Sequence, residues 1–319
     1  MSPPKVPHVE VVLPVYNEVQ NIVPLLRGLD AARDSLAGRA RISYLFVNDG
    51  SRDGSRELLY RLHRERADIR VVEFVHNFGH SAALAAGVDH VRADAAVFMD
   101  ADLQDSPDAL PALFEAWKQG ARTVVIARAE RREAARIAFQ AFYFILHRLA
   151  RQLPPFDFGT HCILDISVVE RLRDLTERNR YFPGLVSYAS GPITAIPMPR
   201  GTRHEGKSRV GMMGLMTLAI TAYVSFSSVP IRMVSFFGIA ASAMGFLSGT
   251  VIVLIKIASD KAIPGWASVM SAMAFGTGVQ LLCLGILGEY VARIYDEVKQ
   301  RPLYLVERVH ERKAESKAA

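Results

Sequence analysis

Residues 95–105 read Ala95-Ala96-Val97-Phe98-Met99-Asp100-Ala101-Asp102-Leu103-Gln104-Asp105. A short unbroken apolar run of this kind fits a strand buried on both faces of a sheet. Carboxylates follow it at once. Asp100 and Asp102 stand two residues apart, and like charges so close repel unless a cation or ligand compensates. Hard divalent cations such as Mg²⁺ or Mn²⁺ take oxygen ligands of this type, a carboxylate or two plus substrate phosphates. A metal site bridging a diphosphate is the expectation. The alternative is a solvated turn in which Asp102 or Asp105 caps the helix expected after Pro107.

Four similar runs flank this one. Val9–Val15, Ile42–Val47 and Arg70–Val75 precede it and Arg122–Ala127 follows, with helical patterns between them such as Gly54–Arg66 and Ser81–Val91. Strands separated by helices predict parallel βαβ units, hence an open α/β sheet covered on both faces. Ligands of such sheets bind at the carboxyl ends of the strands. The residues there are polar in every case: Tyr16-Asn17-Glu18 after Pro14-Val15, then Asn48-Asp49-Gly50-Ser51, then Asn77-Phe78-Gly79-His80, then the acidic run, and last Arg128. One such loop is ordinary turn chemistry; five on one edge predict a site. It is not a nucleotide site of the commonest kinds, because no glycine-rich phosphate loop with its lysine and no three-glycine dinucleotide fingerprint occurs.

The rest of the chain has a different character. Of 319 residues half are hydrophobic, which excludes a disordered or disulfide-built protein, and the two cysteines, Cys162 and Cys283, lie in apolar surroundings as reduced thiols would. Residues 233–255 and 263–288 carry no charge, and each exceeds the roughly 20 residues that cross a bilayer. They predict a transmembrane hairpin over 232–288, linked by Lys256–Ala262. The N-terminus lacks the apolar core of a signal peptide, and the tail 289–319 is basic. Both features place residues 1–200 and the tail in the cytoplasm, with an even number of crossings. The segment 201–231 is expected to be a basic loop and a helix lying in the interface, and residues 136–152 a second amphipathic helix. Net charge is +6, from 38 basic and 32 acidic residues, which fits phospholipid or a phosphorylated substrate.

As a set, Leu13-Pro14-Val15-Tyr16-Asn17-Glu18, Val47-Asn48-Asp49-Gly50-Ser51, Asn77-Phe78-Gly79 and Met99–Asp105 resemble the successive motifs of glycosyltransferase family 2. The resemblance is strongest to its membrane-bound polyprenyl-phosphate branch and spans the whole chain. It implies a Rossmann-like GT-A fold with interfacial helices and the C-terminal hairpin, seated in the inner (cytoplasmic) membrane. The implied activity is inverting transfer of one sugar from a UDP- or GDP-linked nucleotide diphosphate sugar to polyprenyl phosphate. No nucleic-acid partner is expected, and tetramers occur in the branch. Residue by residue, the resemblance implies that Pro14, Tyr16, Asn17, Glu18, Asp49, Gly50, Ser51, Asn77 and Gly79 line the nucleotide-sugar site, with Asp49 accepting from the base. Asp100, Ala101, Asp102 and Gln104 border the diphosphate, and Asp100, Asp102 and Gln104 surround a Mg²⁺ or Mn²⁺ ion.

The acceptor side is basic. Arg128, Arg131 and Arg132, and later Arg203, Lys207 and Arg209, are expected to meet the lipid phosphate or anionic headgroups. Here the chain departs from the branch. Gly159-Thr160-His161-Cys162 stands where an acidic residue usually follows the glycine, so Asp157 or His161 is left to act as base or orienter. A phosphate acceptor, already ionised at neutral pH, has little need of one. Two rivals are weighed on the sequence. A processive polysaccharide synthase usually carries a Gln-x-x-Arg-Trp motif, which is absent here. A lipid-sugar transporter or idle subunit with a retained pocket would place ionisable residues inside its spans, and 233–255 and 263–288 have none.

Overall fold

The computed structural model describes residues 6–128, 158–178, 180–198 and 265–311, with isolated helical positions between 238 and 258. Two compact units make up the chain: Met1–Leu215 together with Pro302–Ala319, and Met216–Arg301.

In the first unit the acidic run follows a strand, as its sequence requires. β4 (Ala95–Phe98) lies inside a sheet of eight with β1 (His8–Val15), β2 (Arg41–Asn48), β3 (Ile69–Phe74), β5 (Thr123–Arg128), β6 (Phe158–Asp165), β7 (Thr194–Met198) and β8 (Val306–His310). Their order is β7-β5-β6-β4-β1-β2-β3-β8. β1, β2, β3 and β4 pair in parallel, and β1, at the middle, is almost entirely buried. This is the βαβ core that the apolar runs predict.

The sheet is nevertheless mixed, which corrects the parallel expectation. β6 inserts antiparallel between β4 and β5, and β8 pairs antiparallel with β3. The consequence is local to the site: an antiparallel strand brings its amino end to the rim where parallel strands end. Thus Gly159 and Thr160 of β6 and the start of β8 share an edge with the carboxyl ends of β1–β4.

Helices cover both faces. α1 (Val19–Asp34), α2 (Ser55–Glu65) and α4 (Ala109–Lys118) bury Ile22, Leu25, Leu29, Leu59, Leu110 and Phe114 against Val9, Val11 and Val97. α3 (His80–His90) crosses the opposite face, where α5 (Ile166–Asp174) and α6 (Phe182–Ala189) also lie. Gly87 permits the close approach of α3, since a Cβ there would stand 2.3 Å from Val12 Cγ1.

The second unit contributes α7 (Trp266–Val298), 33 residues long. Among the described residues it is the one helix long and apolar enough to cross a membrane, through Phe275–Val298. Phe275, Leu281, Leu284 and Leu287 are exposed on it, a pattern that suits association with a bilayer. The helix runs ten positions past the end expected at 288, and β8 follows it. Residues 289–311 are therefore helix and strand more than tail. Helix 136–152, the interfacial segment 201–231 and most of span 233–255 lie outside the described residues.

Candidate active site

The loops after β1 and β2 are knitted together before any ligand is considered. Ser51 Oγ accepts from Asn17 N at 3.0 Å, Ser55 Oγ from Glu18 N at 3.1 Å, and Asn17 Oδ1 from Arg52 N at 2.8 Å. Asn17 takes a left-handed conformation, φ 56°, which asparagine tolerates better than most residues. The result is a fixed floor on which Tyr16 stays exposed and Pro14 is buried at the strand end.

Asp49 sits in that floor, 2% exposed. Its carboxylate accepts from Asn77 Nδ2 at 2.9 Å, Phe78 N at 2.6 Å and Gly79 N at 2.9 Å. Burial pushes its carboxyl up, and the two backbone N–H groups hold it back. A carboxylate has about four lone-pair positions, so three bonds leave one for a further donor. An N–H of a nucleobase is a donor of that kind. Gly50, at φ 65°, makes the arrangement fit, because a Cβ there would stand 2.5 Å from the carbonyl carbon of His76.

The acidic run turns sharply at Leu103, a leucine held at φ 62°. Asp105 Oδ2 accepts from Asp100 N at 3.3 Å, and Asp102 Oδ1 from Gln104 N at 3.1 Å. The alternative of a helix cap by Asp102 or Asp105 is not met: α4 begins at Ala109, its N-cap is Asp108, and no side chain caps it. Asp100 faces two partners, Thr160 Oγ1 donating at 2.9 Å and His80 Nε2 at 3.4 Å. Desolvation, with Asp105 and Asp102 adding to it, raises the Asp100 carboxyl, while His80 and Thr160 lower it. Asp100 is thus faced by a neutral hydroxyl and a half-exposed imidazole, with Asp102 and Asp105 adding negative charge beside it, a setting that a cation would suit. Among the described residues no three His, Cys, Asp or Glu side chains converge as a complete metal cage. Asp100 and Asp102, with Gln104 beside them in the loop, could hold an ion whose remaining ligands are substrate oxygens.

A cleft adjoins this loop, lined among others by Asp100, Gln104, Asp105, Ile126, Thr160 and His161. His161 is 3% exposed and its Nε2 has no hydrogen-bond partner among the described residues. Burial lowers its pKa, which keeps the ring neutral. Arg128 ends β5, in register with Met198. Asp157, Arg131, Arg132, Arg203, Lys207 and Arg209 lie outside the described residues.

The rim therefore brings together Pro14, Tyr16, Asn17, Glu18, Asp49, Gly50, Ser51, Asn77 and Gly79 as one group, and Asp100, Ala101, Asp102 and Gln104 as another. Sequence reasoning missed three neighbours. His80 and Asp105 stand inside the very loops that it quoted, and Thr160 drew notice only as a lost acid. Their signal was position alone.

The glycosyl transferase family 2 model matches residues 10–173. An uncharacterised glycosyltransferase of Bacillus subtilis is 34% identical over 301 residues, 93% of each chain. A prophage-derived bactoprenol glucosyl transferase of Shigella flexneri is 30% identical over 305 residues, 95% of this chain and 98% of that one. An undecaprenyl-phosphate 4-deoxy-4-formamido-L-arabinose transferase of Edwardsiella ictaluri is 31% identical over 313 residues, 94% of each. Because the matched stretch runs from β1 to α5 and so carries all of the loops just described, and the relatives align along nearly their full lengths, the chain belongs to glycosyl transferase family 2 and is a glycosyltransferase.

Proposed function

We propose that this glycosyltransferase moves one sugar, with inversion, from a UDP- or GDP-linked nucleotide diphosphate sugar to a polyprenyl phosphate at the cytoplasmic face of the inner membrane. The observation that carries the reading is the juxtaposition at the rim: Asp49 with one acceptor position to spare, and Asp100, held by Thr160 and His80, beside the further negative charge of Asp102 and Asp105. Relatives named for bactoprenol and undecaprenyl phosphate supply the acceptor class. The apolar surface of α7 suits a lipid-borne substrate.

In this mechanism Asp49, with the floor formed by Asn17, Ser51 and Asn77, orients the nucleoside. Asp100 and Asp102 would hold a divalent cation, whose charge offsets the negative charge growing on the departing diphosphate. Thr160 keeps the Asp100 carboxylate aimed. A phosphate oxygen of the lipid attacks the anomeric carbon as the bond to the diphosphate breaks, and that bond's electron pair leaves with the diphosphate. The acceptor is ionised beforehand, so no base is required and the missing acid at Thr160 costs nothing. Arg128, Arg131, Arg132, Arg203, Lys207 and Arg209 are the proposed phosphate partners.

The test is incubation of the detergent-purified chain with undecaprenyl phosphate, Mg²⁺ or Mn²⁺ and a panel of UDP- and GDP-sugars. One glycolipid, formed with one donor and lost with EDTA, is expected. Absence of product with every donor overturns the reading.

A further inference from the structure

Beyond α7 the chain returns to the first unit as β8, and the residues just ahead of β8 meet the loop that follows β3. Val75 N donates to Leu305 O at 3.1 Å. The ring of Tyr304 stacks on Phe74, with centroids 4.9 Å apart and planes 14° from parallel. Phe74 in turn meets Phe78 edge to face at 5.8 Å, and Phe78 stacks on His76 at 4.0 Å. Tyr304 Oη also donates to Asp89 Oδ2 of α3 at 2.5 Å. The β3–β8 pairing shifts register between Glu73 and Phe74, where this stack begins.

The loop so braced carries the donors that hold Asp49. Val75, His76 and Asn77 are exposed, so little packing restrains the loop from outside. Phe78 N and Gly79 N must nevertheless point at the Asp49 carboxylate, within 2.6 Å and 2.9 Å. The Phe78 ring joins that backbone edge to face with the buried Phe74, and Tyr304 stacks on Phe74 in turn.

We propose that Tyr304 is a positioning residue for the nucleoside end of the donor site, acting through Phe74 and Phe78 to hold the Phe78–Gly79 N–H groups on Asp49. This rests on the reading of Asp49 as the nucleoside acceptor. Without the ring the loop samples more conformations, and nucleotide binding must order it again. Affinity for the donor weakens. The bond-breaking step, set by Asp100 and Asp102 on another loop, keeps its rate once the donor is bound.

The experiment uses the full-length chain in detergent, with UDP and GDP binding followed by calorimetry in the presence of Mn²⁺, and steady-state kinetics with the donor found above. In Tyr304→Ala, Kd for the nucleotide and KM for the donor should rise about three- to tenfold, the range of one aromatic contact, with kcat little changed. Tyr304→Phe, which keeps the stack and loses only the bond to Asp89, should restore both constants. Tyr304→Leu, which keeps apolar cover without the planar ring, should resemble the alanine variant and replaces it if that variant does not fold. Unchanged Kd and KM in the alanine and leucine variants, a fall in kcat alone, or a phenylalanine variant as impaired as the alanine one would overturn the proposal. Asp49→Asn separates this from the parent reading. If it also binds nucleotide normally, the nucleoside assignment falls and Tyr304 with it; if it loses affinity while Tyr304→Ala does not, only the Tyr304 inference falls.

Discussion

Thr160 acts on the site through its bond to Asp100. At this position a carboxylate would add a like charge beside Asp100, whereas the threonine hydroxyl donates a neutral hydrogen bond at 2.9 Å. Thr160→Val removes that bond and leaves the volume. We expect kcat to fall about fivefold to tenfold, matching the roughly 1 kcal/mol of one hydrogen bond, and Thr160→Ser to recover most of it. A valine variant with wild-type kcat would show that Asp100 needs no help in staying aimed. Asp102→Asn is the harsher change, because it halves the carboxylate charge offered to a cation; turnover should drop by at least about a hundredfold with the melting temperature unmoved. Gly50 has a structural role instead. A Cβ there meets the His76 carbonyl carbon at 2.5 Å on a backbone already at φ 65°, and neither can move cheaply. Gly50→Ala should therefore cost more than about 2 kcal/mol, seen as a lower midpoint in urea. A midpoint equal to wild type would mean that loops 48–51 and 76–79 are less rigidly seated than their hydrogen bonds imply.

Among elements, the five strands ahead of residue 130 were legible because each is an apolar run bounded by turn chemistry. Expected at Val9–Val15 and Ile42–Val47, for example, they form at His8–Val15 and Arg41–Asn48. Helices α2 and α3 were likewise readable from their spacing. β6, β7 and β8 were not. Phe158–Asp165 opens with Phe-Gly-Thr-His, Thr194–Met198 contains a proline, and Val306–His310 sets Glu307 and Arg308 between two valines. β7 and β8 carry no buried run, since they are edge strands, and β6 carries one only over His161–Leu164, while its amino end faces the cleft. Pairing with distant partners, invisible to local pattern, makes them strands. For the same reason the site was legible as loops but not as contacts, and Thr160 and Tyr304 were overlooked. Electrostatics also ties elements together. Arg66 at the end of α2 forks onto Asp30 of α1 at 2.6 Å and 2.8 Å and onto Asp68 ahead of β3 at 2.7 Å and 3.0 Å. Burial alone would raise both carboxyls, but the hydrogen bonds and charge of Arg66 win, and both titrate below the ordinary 3.8. Carboxyls depressed in the folded state stabilise it fully above that value, and the contribution is lost as pH falls through their lowered values. Arg66→Met should thus lower the melting temperature by about 3–6 °C at neutral pH and make its decline in acid shallower. An acid limb as steep as wild type would assign the effect to other carboxylates.

For the whole molecule, the order of segments along the chain constrains topology more than hydropathy does. The chain leaves the first unit after Leu215 and rejoins it at Pro302, where β8 pairs with β3 in the same sheet. A folded sheet occupies one side of a bilayer, so both ends of the second unit start and finish on that side. An α7 that crosses therefore requires one further crossing, for which residues 233–255, uncharged throughout, are the expected stretch, in preference to the equally uncharged but hydroxyl-rich 210–231. If both stretches cross, as the sequence predicts, the link Lys256–Ala262 is expected on the opposite side of the membrane from residues 1–200. Asp260→Cys, placed in a Cys283→Ala background so that the remaining Cys162 is buried, supplies a reporter thiol at that link. In intact cells a membrane-impermeant maleimide should label it. A cysteine placed at the exposed Arg308 of β8 should be labelled only after the membrane is opened. Labelling of both positions in intact cells, or of neither until lysis, would mean that the helix does not cross, and the lipid-phosphate acceptor would lose its simplest route to the site.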